Sequence, residues 1–215
     1  MHMPDDDPRR QSLHAFGRYV TPERWGSYWS QLGEVLALKP RAVLEVGIGV
    51  GVVSALLTHL GVPTHRIDLE PELAPDCVAS VLSLPCPDAA FDVVVCCQVL
   101  EHLPYAQLPQ ALSELRRVCE RHIVLSLPDA SHSLQLMLRM PLLGTVRLAL
   151  SLPRVVRRNH AYDGQHYWEI GRRGYGLRRV RTDLERAGLR IVRTYRGWSN
   201  PYHRFFLLER TRQES

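Results

Sequence analysis

Lysine is almost absent from this chain. Of its 27 basic residues only Lys39 is a lysine, and the rest are arginine. Long apolar runs are missing too. The most apolar stretch, 133–156, carries Arg139, Arg147 and Arg154 and is cut by Pro141 and Pro153. That pattern excludes a transmembrane helix, which needs about 20 largely uncharged residues. The five cysteines (Cys77, Cys86, Cys96, Cys97, Cys119) are odd in number and follow no metal or redox spacing. They read as reduced core thiols of a cytoplasmic protein. The N-terminus, Met1 to Asp7, is acidic and polar, which is not the pattern of a signal peptide. Residues 1–20 read as a frayed tail ahead of a single domain over 21–215.

What is present begins at Val43. The run Val43-Leu44-Glu45-Val46 ends in Gly47-Ile48-Gly49-Val50-Gly51 and re-enters an apolar pattern at Val52. This is a strand, a glycine-rich turn and a helix, an arrangement that brings a ligand against bare backbone. The dinucleotide fingerprint needs a glycine where Val52 stands, so a nicotinamide oxidoreductase is disfavoured. A second strand ends at Asp68, the place for a carboxylate that meets ribose hydroxyls in a Rossmann-like unit. Phe91 to Cys97 is, apart from Asp92, a continuous apolar run rich in β-branched residues, as in a parallel strand buried on both faces.

Glu45-x-Gly47-x-Gly49-x-Gly51 resembles motif I of the class I S-adenosylmethionine (SAM) methyltransferases. The block from Leu84-Pro85-Cys86-Pro87-Asp88 through Phe91-Asp92-Val93-Val94 to Val99-Leu100-Glu101-His102-Leu103 is similar to that of the type 11 methyltransferase family. The resemblance covers roughly 40–130. It implies an α/β fold with a Rossmann-like seven-stranded sheet, helices on both faces and an antiparallel last strand. It also implies SAM as cofactor. Glu45, Gly47, Gly49 and Gly51 would lie under its methionyl part, where a carboxylate meets an ammonium and a sulfonium. Asp68 would meet the ribose. Ser80 stands where the family has an acid facing adenine, so Val81 and Leu82 would carry more of that contact through their backbone. Cys97 and Gln98, ending the fourth strand, and Tyr28 on a leading helix complete the expected cofactor set, with Arg18 and Tyr19 as further candidates.

The flanks follow from local patterns. Thr21-Pro22-Glu23 is a helix start, and Trp25, Tyr28, Trp29, Leu32 and Leu36 recur at helical spacing, so their aromatic face is expected to pack in the core. Residues 106–119 and 177–187 read as amphipathic helices, and 122–127, 189–195 and 205–209 as strands. Residues 131–170 are the expected substrate cover, with two short amphipathic helices over 133–156. A lid, an oligomer contact and a membrane-surface element all remain open for that stretch.

Methyl transfer to oxygen or nitrogen requires a proton acceptor, and histidine is suited to it. His102, just past the fourth strand, and His166, in a segment rich in aromatics and histidines, are the candidate bases, with Glu101 third. Asp129 is a lone carboxylate after the fifth strand, so no metal site is expected. Charge is uneven: residues 1–120 hold 9 basic and 15 acidic residues, and 121–215 hold 18 and 7. That points to a small, anionic acceptor. A non-catalytic SAM-binding subunit and a nucleic-acid methyltransferase are the alternatives. The second has no dedicated nucleic-acid module to support it. Asn200-Pro201-Tyr202 does not match the Asn/Asp-Pro-Pro-Tyr motif of nucleic-acid amino-methyltransferases and lies outside its expected place.

Overall fold

A computed structural model describes residues 21–141, 144–151, 159–162 and 164–211. Residues 1–20, with the candidates Arg18 and Tyr19, lie outside the described residues.

The first helix, α1 (Pro22–Ala37), starts as its sequence predicts. The Thr21 hydroxyl accepts the Arg24 N–H at 3.3 Å and Pro22 occupies the first turn. Its aromatic face is only partly core, however: Leu32 and Tyr28 pack inward and the tryptophans do not. Trp29 is 75% and Trp25 50% exposed. The helix instead buries Ser27, Gln31, Leu32, Glu34 and Val35. The reason is polar: Glu34 accepts from Arg193 Nη2 and Tyr195 Oη, both at 2.6 Å. These bonds turn the helix so that its tryptophans face outward.

Seven strands form one sheet: β1 (Val43–Val46), β2 (Thr64–Asp68), β3 (Cys77–Val78), β4 (Phe91–Cys97), β5 (Cys119–Pro128), β8 (Leu189–Arg196) and β9 (His203–Arg210). Their order is β3-β2-β1-β4-β5-β9-β8. The first five strands are parallel, and β9 runs antiparallel to β5 and β8. This is the expected class I methyltransferase sheet. Alternate side chains divide between two cores. Val43, Val93, Val95, Val124 and Leu207 pack with Leu32 and Val35 of α1 and Val53 and Leu57 of α2 (Val52–His59). Leu44, Val46, Val94, Cys96 and Leu125 pack with α3 (Leu108–Val118) and α4 (Leu177–Arg186). Strands buried on both faces need apolar residues at successive positions, and β4 supplies them from Val93 to Cys97.

Two polar devices hold the parallel strands. Asp92, buried inside β4, accepts the N–H groups of Arg41 and Ala42 and so pins the entry of β1. Arg117 of α3 donates to Glu114, Asp88 and the carbonyls of Leu84 and Cys86, all within 2.7–2.8 Å. It thereby fixes the loop before β4.

Residues 133–151 correct the sequence expectation. They form an antiparallel ribbon, β6 (Ser133–Met140) and β7 (Gly144–Ser151), and not two helices. The pattern has period two: Leu134, Leu136 and Leu138 alternate with Gln135, Met137 and Arg139. Leu134, Leu136 and Leu138 pair with Leu150, Leu148 and Val146. Pro141, read as a helix breaker, falls at the turn. Residues 152–156 of the expected cover element lie outside the described residues. Among the described residues no helix is long and apolar enough to cross a membrane.

Candidate cofactor and acceptor site

The strand order reverses between β1 and β4: β2 lies on one side of β1, and β4 and β5 lie on the other. A crevice opens beyond the carboxyl ends of the strands at such a reversal, and ligands of open α/β sheets bind there. The chain leaves β1 at Gly47 and β4 at Gln98, so both predicted clusters sit at this crevice.

The glycine loop has the conformation its sequence requires. Gly47, Gly49 and Gly51 have φ of +77°, +52° and +70°, a region that side chains with a Cβ rarely enter. A Cβ on Gly47 would lie 2.2 Å from Val99 Cγ2, whereas one on Gly49 would meet nothing within 4 Å. Gly47 is therefore glycine because Val99 packs on it, and Gly49 leaves open space for a ligand. Gly51 caps α2. Asp68 holds the loop from beside it: Oδ2 accepts Ile48 N–H at 2.8 Å and Oδ1 accepts Glu70 N–H at 3.1 Å.

Glu45 is the informative acid. It is buried in β1, Ser54 is its hydrogen-bonding neighbour, and its Oε2 has no partner. Burial pushes its pKa up to about 7. An orphaned buried carboxylate oxygen beside an open glycine crest fits a cationic group brought in by a ligand. The adenine-side residues are already engaged in part. Ser80 Oγ accepts Leu82 N–H at 3.2 Å, and the Leu82 carbonyl accepts from Gln110 at 3.0 Å. Val81 is buried. Tyr28 meets Trp25 edge to face with centroids 6.3 Å apart and packs on the α1–α2 core. Leu69, next to Asp68 and 60% exposed, is an apolar surface that sequence reasoning passed over.

Beyond β4, Gln98 takes φ +57°. With its amide oriented to satisfy both ends, it donates to Glu101 Oε1 at 3.3 Å and accepts from Ser126 Oγ and Leu127 N–H at 3.0 and 3.2 Å. Cys97 is a buried-side thiol pushed up to about 12 by burial, so it is no nucleophile at neutral pH.

Residues 44–125 match the family model described as "Methyltransferase domain". Over that span the chain is similar to methyltransferase domains. No curated protein matches the chain. Solved structures do. Magnesium protoporphyrin IX methyltransferase from Synechocystis PCC 6803, with bound S-adenosylhomocysteine (SAH), is 17% identical. The match covers 94% of this chain and 95% of that one, with a TM-score of 0.62. The 1,6-didemethyltoxoflavin-N1-methyltransferase of Burkholderia thailandensis is 15% identical over 99% and 94% of the two chains, TM-score 0.57. A SAM-dependent methyltransferase from Clostridium acetobutylicum is 11% identical over 95% and 99%, TM-score 0.61. At these identities the likeness establishes the fold.

The two predicted histidines, His102 and His166, meet. The His102 and His166 ring centroids are 5.2 Å apart. His102 Nδ1 lies 2.9 Å from the Gln165 carbonyl. His166 Nδ1 lies 3.4 Å from Glu169 Oε1 and 3.3 Å from Tyr202 Oη. Tyr202 donates to the same Glu169 oxygen, and Arg172 Nε donates to Oε2 at 2.8 Å. Burial raises the Glu169 pKa, but the bonds from Tyr202, Arg172 and His166 outweigh it and hold the carboxyl below its usual range. Glu101 is fully buried, and its burial, together with the nearby Glu169, pushes its pKa up to about 8. His203, next to Tyr202, is pushed down to about 4 by burial and by the charges of Arg24 and His166.

Tyr202 and Glu169 were not legible as site residues. Glu169 meets His166 locally, three residues along the chain, and Tyr202 joins them from the β8–β9 hairpin. Asp129, the lone carboxylate after the fifth strand, is structural: it accepts from Arg204 Nε at 2.6 Å and from Ser131 N–H at 2.9 Å.

Proposed function

We propose that this methyltransferase domain methylates a hydroxyl or amine of a small molecule held against His102, His166 and Tyr202. The observation that carries the reading is a juxtaposition. The glycine crest with its orphaned Glu45 oxygen leaves the end of β1, and His102, with His166 packed against it, follows the end of the adjacent β4.

Glu45, Gly47, Gly49 and Gly51 would hold the methionyl part of SAM and Asp68 its ribose. Ser80, Val81 and Leu82 would face adenine, with Cys97, Gln98 and Tyr28 completing the walls. Bound SAM supplies a methyl group made electrophilic by the sulfonium. The rest of the work is positioning and exclusion of water. His166, oriented by Glu169 and Tyr202, is the group best placed to draw the acceptor's proton. Residues 131–170 would wall the acceptor side, anchored where Gln135 Nε2 donates to the Gly197 carbonyl at 3.4 Å. An anionic group on the acceptor would meet the field of Arg24, which already acts on His203. Arg172 and Arg204 are paired with Glu169 and Asp129, so the arginine surplus is largely tied within the fold. The free cysteines suit a reducing, cytoplasmic setting.

The test is calorimetric titration with SAH, followed by transfer of labelled methyl from SAM to a panel of hydroxyl and amine acceptors. Micromolar SAH binding, with turnover that falls in His166→Ala while SAH affinity holds, is expected. Tight SAH binding with no transfer to any acceptor would make the chain a SAM-binding regulatory protein instead.

A further inference from the structure

We propose that Glu101, His102 and His166 bind one divalent transition-metal ion of the manganese, iron, cobalt or zinc class. Each offers one ligand atom, and these atoms all lie within 4.8 Å of one another. The sequence carries no such spacing, because His166 reaches the pair only through the fold of the 160–170 segment.

Three observations point to an ion and not to a chance cluster. First, Glu101 is fully buried, and its Oε2 has no hydrogen-bond partner. The other oxygen is held by Gln98 at 3.3 Å, so the carboxylate is fixed with one oxygen unsatisfied. A buried polar atom of this kind calls for a ligand.

Second, both histidines are set in the tautomer a metal needs. His102 Nδ1 faces the Gln165 carbonyl at 2.9 Å. A carbonyl only accepts, so the proton sits on Nδ1 and the lone pair on Nε2. His166 Nδ1 faces Glu169, which also accepts from Tyr202 and Arg172. The same argument places its lone pair on Nε2. Carboxylate and carbonyl partners on the second ring nitrogen are the usual outer support of metal-bound histidine.

Third, the burial is graded. Glu101 is buried, His166 is partly buried and His102 is exposed, so the three ligands form one wall and leave the solvent side open. Three protein ligands with open positions are the mark of a catalytic ion, where a structural one would be enclosed. Two imidazoles and one carboxylate favour first-row transition ions over magnesium, which prefers all-oxygen ligands. Ligands about 2.1 Å from an ion lie about 3.0–3.4 Å apart, so the three groups, now within 4.8 Å of one another, would draw together around an ion.

The consequence for catalysis rests on the reading above and replaces His166 as proton acceptor, because its Nε2 would be held by the ion; metal binding itself does not rest on that reading. An acceptor hydroxyl in an open position would have its pKa lowered by the ion. Its proton would leave to water at the His102 rim. The resulting oxygen would then form the new C–O bond as the methyl–sulfur bond breaks, leaving a neutral thioether.

The experiment is titration of untagged full-length protein with Co(II), read by its visible absorption, with SAH affinity measured in parallel. One equivalent is expected, with uptake weakened about tenfold or more in His102→Ala and in His166→Ala and about 10–100-fold in Glu169→Gln. SAH affinity retained in His102→Ala shows that the fold is intact, because that residue is exposed. No saturable uptake by protein that binds SAH, or uptake unchanged in both histidine variants, overturns the proposal. Methyl transfer by protein that takes up no Co(II) overturns it and leaves the acceptor reading in place. Co(II) uptake lost in the variants supports the site even where no hydroxyl or amine acceptor is methylated.

Discussion

Val99 sits directly on Gly47: a Cβ at that glycine would lie 2.2 Å from Val99 Cγ2. The first residue after β1 and the second after β4 thus lock the two strand ends that bound the cofactor crevice. Gly47→Ala adds a clash to a backbone at φ +77°. It is expected to lose about 2–4 kcal/mol, from strain of about 1–3 kcal/mol plus overpacking. Urea unfolding measures the loss, and the double variant with Val99→Ala recovers the clash part alone. Equal losses in the single and double variants would show that Val99 is not the obstacle.

Gly49 differs from Gly47, although the two look alike in sequence. Nothing lies within 4 Å of a Cβ there, and φ is +52°. Gly49→Ala is expected to cost only about 1–2 kcal/mol of left-handed strain. Gly49→Arg is expected to fold, with an unchanged circular dichroism spectrum, and to lose SAH binding because the side chain fills the ligand's space. Retained SAH affinity in Gly49→Arg would remove this loop from the cofactor site.

Glu45 makes stability and binding depend on pH in opposite senses. Its folded pKa is raised by burial, to about 7 against an ordinary 4.5. Its contribution to stability is therefore complete below about pH 4.5 and is lost as pH rises through 7. A cationic ligand group beside it favours the ionised form, so SAH affinity is expected to rise over the same window with release of a proton. Calorimetry at pH 6 in two buffers of different ionisation enthalpy detects that proton, and Glu45→Gln should abolish it. Identical heats in the two buffers would separate Glu45 from the ligand's charge.

Arg117 tests what holds the loop before β4. It serves Glu114, Asp88 and two carbonyls at once. Arg117→Ala is expected to cost about 2–4 kcal/mol, since several charge-assisted bonds go and their acceptors are left unpaired. Arg117→Lys should recover little of this, because an ammonium cannot reproduce the fork. A loss under about 0.5 kcal/mol in Arg117→Ala, the range of an ordinary surface change, would count against the staple.

The expected elements were read well wherever one local rule decided the outcome. Thr21-Pro22 starts α1, the apolar run 91–97 is β4, and the terminal strand pair is β8 and β9. The ribbon was misread. Its leucines are spaced by two over too short a run, and the prolines suggested broken helices. The outward tryptophans of α1 were misread too, because apolar spacing says nothing of the Glu34–Arg193–Tyr195 contacts that orient the helix.

The sequence by itself determined the class of sheet, the glycine turn after β1 and both candidate histidines. Backbone conformation at a glycine turn and burial in a β-branched run are local consequences of residue type. Only the tertiary structure decided which acid is orphaned, which glycine is packed and which is open, and that Glu169 and Tyr202 join His102 and His166. Those facts depend on segments far apart in the chain meeting at the carboxyl ends of β1 and β4, and no spacing along the chain encodes such a meeting.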